Sequence, residues 1–418
     1  MLDVSNLDRH DLSRRARRLL ASPPTADYLR EHFVRSVSPY DPRGNPDGYI
    51  PMCIAENRLV WDLLEPRMAV CRDVPHQAIC YDSMIGSAVF RARLARFLAD
   101  RVLRREVVPE QVAVLAGAGS VLEILFFCLA DPGDAVLIPT PSYAGFWPDL
   151  ETRDELAIVP VHCSAEDGFR ITVERLEQAR RTAGRPVRAL LFTSPSNPLG
   201  TVFSPDELEA VLDWAEGVGI HVVFDEIYAL SVFGDRPFTS CGELRARLGE
   251  RVHVVWAFSK DFGASGLRCG VLVSENEAAL AAVDSLAYWA CCSGDTQHLL
   301  AELIADEGWV DRYVGTMTGR LRAAYGTVTS VLDRHEVPFL PSGAGFFLLL
   351  DLRRFLPEPG WAGERRLWRR LLERANVNLT PGEACRVGEP GFMRLCFASV
   401  PPDHLAVGLD RLVRALEG

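Results

Sequence analysis

The amino-acid sequence predicts an α/β protein, in which a large domain with a mostly parallel, seven-stranded sheet flanked by helices is joined to a smaller α+β domain. Three observations lead there. Seven short apolar runs rich in β-branched residues follow one another between positions 112 and 274, and helical patterns separate several of them. Strands that alternate with helices imply a mostly parallel sheet covered on both faces. The pattern changes after about residue 305, and 418 residues make two to three domains at about 150 residues each.

The elements justify this in order. The first fifty residues read as a helix, a loop and the turn-rich stretch SPYDPRGNPDGYI, where proline, aspartate and glycine mark turns. SAVFRARLARFLADRV is an amphipathic helix. QVAVLAG is a strand ending in glycine, and SVLEILFFCLA is a buried helix. DAVLIPTPSY, LAIVPVHC, VRALLFTSPSNP, HVVFDEIY, HVVWAFSK and GLRCGVLVS supply the other strands. In SPDELEAVLDWAEGVG, Ser204 suits an N-cap, Pro205 the first helical position and Glu207 a capping box. Beyond 305 come two helical stretches, VPFLPSGAGFFLLLDL, a charged helix and GFMRLCFASV. The expected division is 1–58, a segment joining the small domain; 59–304, the large domain; and 305–418, the small domain.

Composition narrows the function. A net charge of −11 argues against nucleic acid or an anionic membrane as partner, since both want clustered positive charge. The arginine groups at 14–18 and 365–370 sit at helical spacing and read as solvated faces. No apolar run is long enough to span a membrane. Eleven scattered cysteines without a CxxC pair fit neither a disulfide framework nor a zinc site, so a reduced, cytoplasmic setting and no metal are expected. HExxH and GxSxG do not occur.

Lysine and arginine total 45, yet Lys260 is the single lysine. Surface charge can be carried by either residue, whereas only a lysine amine forms an imine. Lys260 follows the apolar run VHVVWAF and precedes Gly263, Gly266 and Gly270, so it is expected at a strand end beside backbone that can approach a ligand. Such lysines act as Schiff-base nucleophiles when burial and nearby cations lower their pKa. Ser259 and Arg268 stand where they can hold a phosphate. Asp225 closes another strand and suits a protonated pyridine nitrogen, although taken singly it also suits a helix N-cap. Tyr228 and the proline-flanked Asn197 can reach a phenolic oxygen. Gly119 and Ser120 open a helix whose unpaired amides suit a single phosphate. Tyr143 can stack on an aromatic cofactor or simply fill the core. Arg394 is a lone charge in an apolar stretch and needs an anion, either a substrate carboxylate or a structural partner.

In this order, these pieces resemble fold-type I enzymes dependent on pyridoxal 5′-phosphate, the aminotransferase class I/II superfamily, from about residue 28 to the end. Within it the chain is most similar to 1-aminocyclopropane-1-carboxylate (ACC) synthases. NPDGYIPMCIAENRLVWDLLE, LADPGDAVLIPTPSYAGFWPDL, SPSNPLGT, HVVFDEIY, SKDFG and EPGFMRLCFA carry the likeness. The resemblance implies that Lys260 is the Schiff-base lysine and α-proton base. Asp225 would hold the pyridine nitrogen, Asn197 and Tyr228 the phenolic oxygen, and Tyr143 the ring face. Gly119, Ser120, Ser259 and Arg268 would hold the phosphate. Arg394 would bind the substrate carboxylate, and Glu56 would lie close to the sulfonium of S-adenosylmethionine.

The resemblance also implies a homodimer with a shared active site. The pattern's cross-interface tyrosine is Met84 here, and Tyr81 stands three residues earlier as its substitute. Leucine-proline is replaced by Ala264 and Ser265, and a tyrosine by Ser142. These changes lie on the substrate side. They leave open ACC itself, or a vinylglycine-type species trapped by a second small-molecule acceptor through γ-replacement or ring annulation in specialised metabolism. The alternative reading is an ordinary aminotransferase.

Overall fold

In a computed structural model that describes residues 11–417, all seven strands of the large sheet occur where the sequence pattern sets them. A short strand, β1 (Ile50–Pro51), precedes them. Then follow β2 (Val112–Leu115), β3 (Ala135–Thr140), β4 (Ala157–His162), β5 (Val187–Thr193), β6 (His221–Asp225), β7 (Val252–Ala257) and β8 (Gly270–Ser274). Their order across the sheet is β2-β8-β7-β6-β5-β3-β4. Strand β8 runs antiparallel to both β2 and β7, and the other pairs are parallel. Residues of β2, β3 and β8 are buried throughout, as expected of strands covered on both faces.

This topology sends the ends of β2, β3, β5, β6 and β7 to one edge, and antiparallel β8 begins there. The helices follow local rules. Ser204 and Glu207 form the expected capping box of helix Pro205–Val218, and Gly219 ends it in the left-handed conformation (φ 75°).

The C-terminal unit contains β9 (Phe339–Leu340), β10 (Phe347–Asp351), β11 (Val377–Asn378), β12 (Thr380–Pro381) and β13 (Phe392–Cys396). Four of them form a sheet in the order β12-β13-β10-β9. The remaining strand, β11, pairs in parallel with β1, so residues near 50 pack on the C-terminal unit. The proposed 1–58 segment begins outside the described residues. One element differs from expectation. In place of two helical stretches after 305 there is one helix, Glu307–Arg334. Its glycines at 315, 319 and 326 face open space, while Val310, Tyr313, Met317, Leu321, Val328 and Leu332 line one buried face. Packing of that stripe outweighs the glycines' weak helix propensity. No helix among the described residues is long and apolar enough to cross a membrane.

Candidate active site

A cavity of about 250 Å³ opens at the sheet edge where those strands end, and eight of the twelve expected site residues line it. They are Gly119, Tyr143, Asn197, Asp225, Tyr228, Ser259, Lys260 and Arg268. Lys260 lies in the short helical turn Phe258–Asp261 directly after β7, and its Nζ donates to the Ala55 carbonyl at 2.6 Å. Burial, and next the Arg394 charge, push its amine down to about 8. Asp225 is buried and accepts from the Ile227 amide at 3.3 Å. Burial pushes its carboxyl up to about 7. A buried carboxylate so short of donors suits a cationic ring nitrogen.

Asn197 Nδ2 donates to the Tyr228 hydroxyl at 3.3 Å, so two elements converge on one point. Tyr143, 38% exposed, meets Phe146 edge to face at 5.3 Å. A side chain at Gly145 would collide with the Tyr143 ring.

The phosphate-type site is built from the turn after β2. Gly117 (φ 95°) caps helix Ala118–Leu129, and Val121 is the first amide to bond back, to the Gly117 carbonyl. Those of Ala118, Gly119 and Ser120 precede it and are the helix's free donors. The Ser120 hydroxyl itself donates to the Ala116 carbonyl at 3.2 Å, leaving its amide for an anion. Arg268 lies over this turn, with Nη1 donating to the Ser265 carbonyl at 3.0 Å. A Cβ at Gly117 would strike the Arg268 guanidinium, and one at Gly270 would strike the backbone of Gly117 and Ala118. Two glycines therefore let strand, turn and arginine close around an anion-sized cradle. An aldehyde-reactive lysine, a cation-seeking carboxylate and this cradle together fit pyridoxal phosphate. Among the described residues no cluster of His, Cys, Asp and Glu suits a metal ion.

Three expected residues stand outside the cavity lining but touch residues connected to it, and one does not. Ser120 follows Gly119 on the helix. Arg394, only 2% exposed, donates to Asn197 Oδ1 (2.9 Å), the Cys53 carbonyl (2.8 Å) and Thr380 Oγ1 (3.1 Å). Its Nε is buried without a partner, and among the described residues cysteines and tyrosines, not a carboxylate, are the main groups acting on its charge. An unneutralised buried guanidinium is ready for an incoming carboxylate. Glu56 reaches the cavity wall through Ser265, whose hydroxyl donates to Oε1 at 2.7 Å. Tyr81 is not brought to the cavity of its own chain and stands 94% exposed.

Sequence reasoning assigned no site role to four polar residues. Asp261 anchors the lysine turn by accepting from Ser231 Oγ (2.7 Å), Trp256 Nε1 (2.9 Å) and the Leu230 amide (3.0 Å). Glu226 anchors the Asp225 turn by accepting from Ser240 Oγ (2.7 Å) and the Cys241 amide (2.8 Å). Both were visible as charges beside apolar runs. Asp149 lines the cavity near Gly119, and burial pushes its carboxyl up to about 6. Its only signal was its place in the same short stretch as Tyr143, six residues further on. Ser265 was visible as a departure from the resembled pattern.

Comparison with known proteins agrees with this geometry. Residues 76–412 match the family model described as aminotransferase class I and II. A rice (Oryza sativa subsp. japonica) protein named 1-aminocyclopropane-1-carboxylate synthase 4 is 39% identical, over 91% of this chain and 84% of its own. Another from the same plant, 1-aminocyclopropane-1-carboxylate synthase 3, is 40% identical, over 90% of this chain and 88% of its own. Aspartate aminotransferase from Thermus thermophilus, solved with maleate, shares the fold with a TM-score of 0.82 at 22% identity, over 97% of this chain and 99% of its own.

Proposed function

The chain belongs to the aminotransferase class I and II family and is a pyridoxal phosphate-dependent enzyme, and from that premise we propose that it acts on the amino-acid part of S-adenosylmethionine, with loss of methylthioadenosine from the γ-carbon. The cofactor, when bound, supplies an aldehyde that takes up an amine and a ring that accepts electron density from the α-carbon.

The chain's own residues do the rest. Asp225 would pair with the ring nitrogen and keep it protonated. The paired Asn197 and Tyr228 would hold the phenolic oxygen, and the glycine turn with Ser259 and Arg268 would hold the phosphate. Arg394 clamps the substrate carboxylate and so fixes the α-carbon relative to Lys260. The Lys260 amine, made less basic by burial, takes the α-proton at Nζ. Glu56 attracts the sulfonium. The product is ACC or, given the changed residues on the substrate side, a γ-substituted or annulated compound of specialised metabolism formed with a second small molecule. The working form is a homodimer in which Tyr81 enters the partner's cavity.

The observation that carries the substrate assignment is the Glu56 carboxylate, bonded to the same wall that holds Lys260. A sulfonium favours a carboxylate there, whereas ordinary transamination needs none. The test is to incubate the holoenzyme with S-adenosylmethionine and follow the products by mass spectrometry. Release of methylthioadenosine is expected. No release, together with oxo-acid formation from a common amino acid, would make the protein an ordinary aminotransferase.

A further inference from the structure

We propose that Ser265 is a positioning residue for the cationic side chain of the substrate, acting through Glu56; this rests on the substrate reading above. Ser265 opens the turn Ser265–Leu267, 209 residues from Glu56 in sequence, and the two meet through a 2.7 Å hydrogen bond in which the Ser265 hydroxyl donates. Ser265 also lines the cavity that holds Lys260. The other Glu56 oxygen faces Arg58 Nε at 3.8 Å, too far for a hydrogen bond, and the two side chains are 37% and 59% exposed. An ion pair that open to solvent holds its partners loosely.

The chemistry of the ligand makes the tether matter. A sulfonium carries charge but no N–H or O–H donor, so it attracts a carboxylate without orienting it. Coulomb attraction falls with distance, so the carboxylate must be held at the cavity by the protein. Without the Ser265 hydroxyl, Glu56 is free to swing towards Arg58, and its charge moves away from the cavity wall. A hydrogen bond to an ionised acceptor is stronger than one between neutral groups, which suits a hydroxyl to this task. Proline, which stands at this position in the pattern the chain resembles, has no such donor, so the tether belongs to this sequence.

The test uses the holoenzyme and stopped-flow absorbance of its cofactor to obtain dissociation constants for S-adenosylmethionine and for S-adenosylhomocysteine, its neutral thioether analogue. Ser265→Ala is expected to weaken binding of the sulfonium compound about tenfold, the worth of one hydrogen bond to a charged group, and to leave the thioether within about twofold. Ser265→Thr, which keeps the hydroxyl, retains the wild-type preference. Equal loss for both ligands, or loss for neither, overturns the proposal. Glu56→Gln separates the two levels of inference. If it abolishes the preference and Ser265→Ala does not, the role of Ser265 fails alone. If the wild-type enzyme has no preference and releases no methylthioadenosine, the substrate reading fails with it.

Discussion

The half-buried amine of Lys260 and the buried carboxyl of Asp225 are both displaced towards their neutral forms, which readies the amine for an aldehyde and leaves the carboxyl in need of a cationic partner. Lys260 is pushed down to about 8, chiefly by burial. An amine attacks an aldehyde only when neutral, so uptake of pyridoxal phosphate by the apoprotein should quicken as pH rises through about 8 and level off above it. An unperturbed lysine, at about 10.4, would still be gaining speed at pH 10. Stopped-flow absorbance across pH 6–10 separates the two. Asp225, pushed up to about 7 by burial, has the opposite consequence for stability. An acid whose folded pKa lies above its unfolded value binds more protons when folded, so the apoprotein loses stability as pH climbs from about 4 to 7. Asp225→Asn removes that cost. It should stabilise the apoprotein by about 0.5–2 kcal/mol at pH 8, less at pH 5, while weakening cofactor binding. Thermal melts at the two pH values, with a cofactor titration, check all three expectations, and a destabilised apoprotein at pH 8 would refute the account.

At the scale of elements, the phosphate cradle depends on three pieces approaching closely: the Gly117 turn, the start of β8 at Gly270, and Arg268. Gly117 combines a φ of 95° with contact to the end of the Arg268 side chain, so Gly117→Ala should cost about 1–3 kcal/mol through backbone strain, while the guanidinium is pushed aside. It should also weaken cofactor affinity, because the turn and Arg268 must separate. Urea unfolding of the apoprotein measures the first effect and equilibrium dialysis of the cofactor the second. Unchanged affinity would mean that the phosphate is held elsewhere. Legibility differed between elements. The capping box at Ser204 and Glu207 was readable because it is a contact within one turn. The continuous helix Glu307–Arg334 was not. Its sequence reads as two helical stretches, and only the packing of its buried stripe joins them into one.

At the scale of the molecule, Arg394 joins three regions: the N-terminal segment at Cys53, the large-sheet turn at Asn197 and the small sheet at Thr380. A substrate carboxylate bound there reports on all three at once. Tyr81 turns outward, with Ile79 (71% exposed) and Trp289 (74% exposed) among the uncovered apolar side chains. If Tyr81 serves the partner's cavity, Lys260→Ala and Tyr81→Ala homodimers should each be impaired, and a mixed dimer should recover activity because one of its two sites carries both native residues. Co-expression of the two variants, followed by assay of methylthioadenosine release, tests this. No recovery in a verified heterodimer would place Tyr81 outside the site.

What the sequence determined by itself was local or chemical in kind. The seven strands follow from runs of apolar side chains, and the identity of the reactive amine follows from there being one lysine. Asp225, Asn197 and Arg394 stood out for the same reason, since each is a polar group set in an apolar or rigid context. Tertiary structure alone decided the contacts between distant segments: Lys260 with the Ala55 carbonyl, Ser265 with Glu56, Arg394 with the Cys53 carbonyl. Those contacts come from chain regions up to 341 residues apart. Nothing in local propensity encodes such a meeting, because it is set by how sheets and segments pack, and packing is a property of the whole chain.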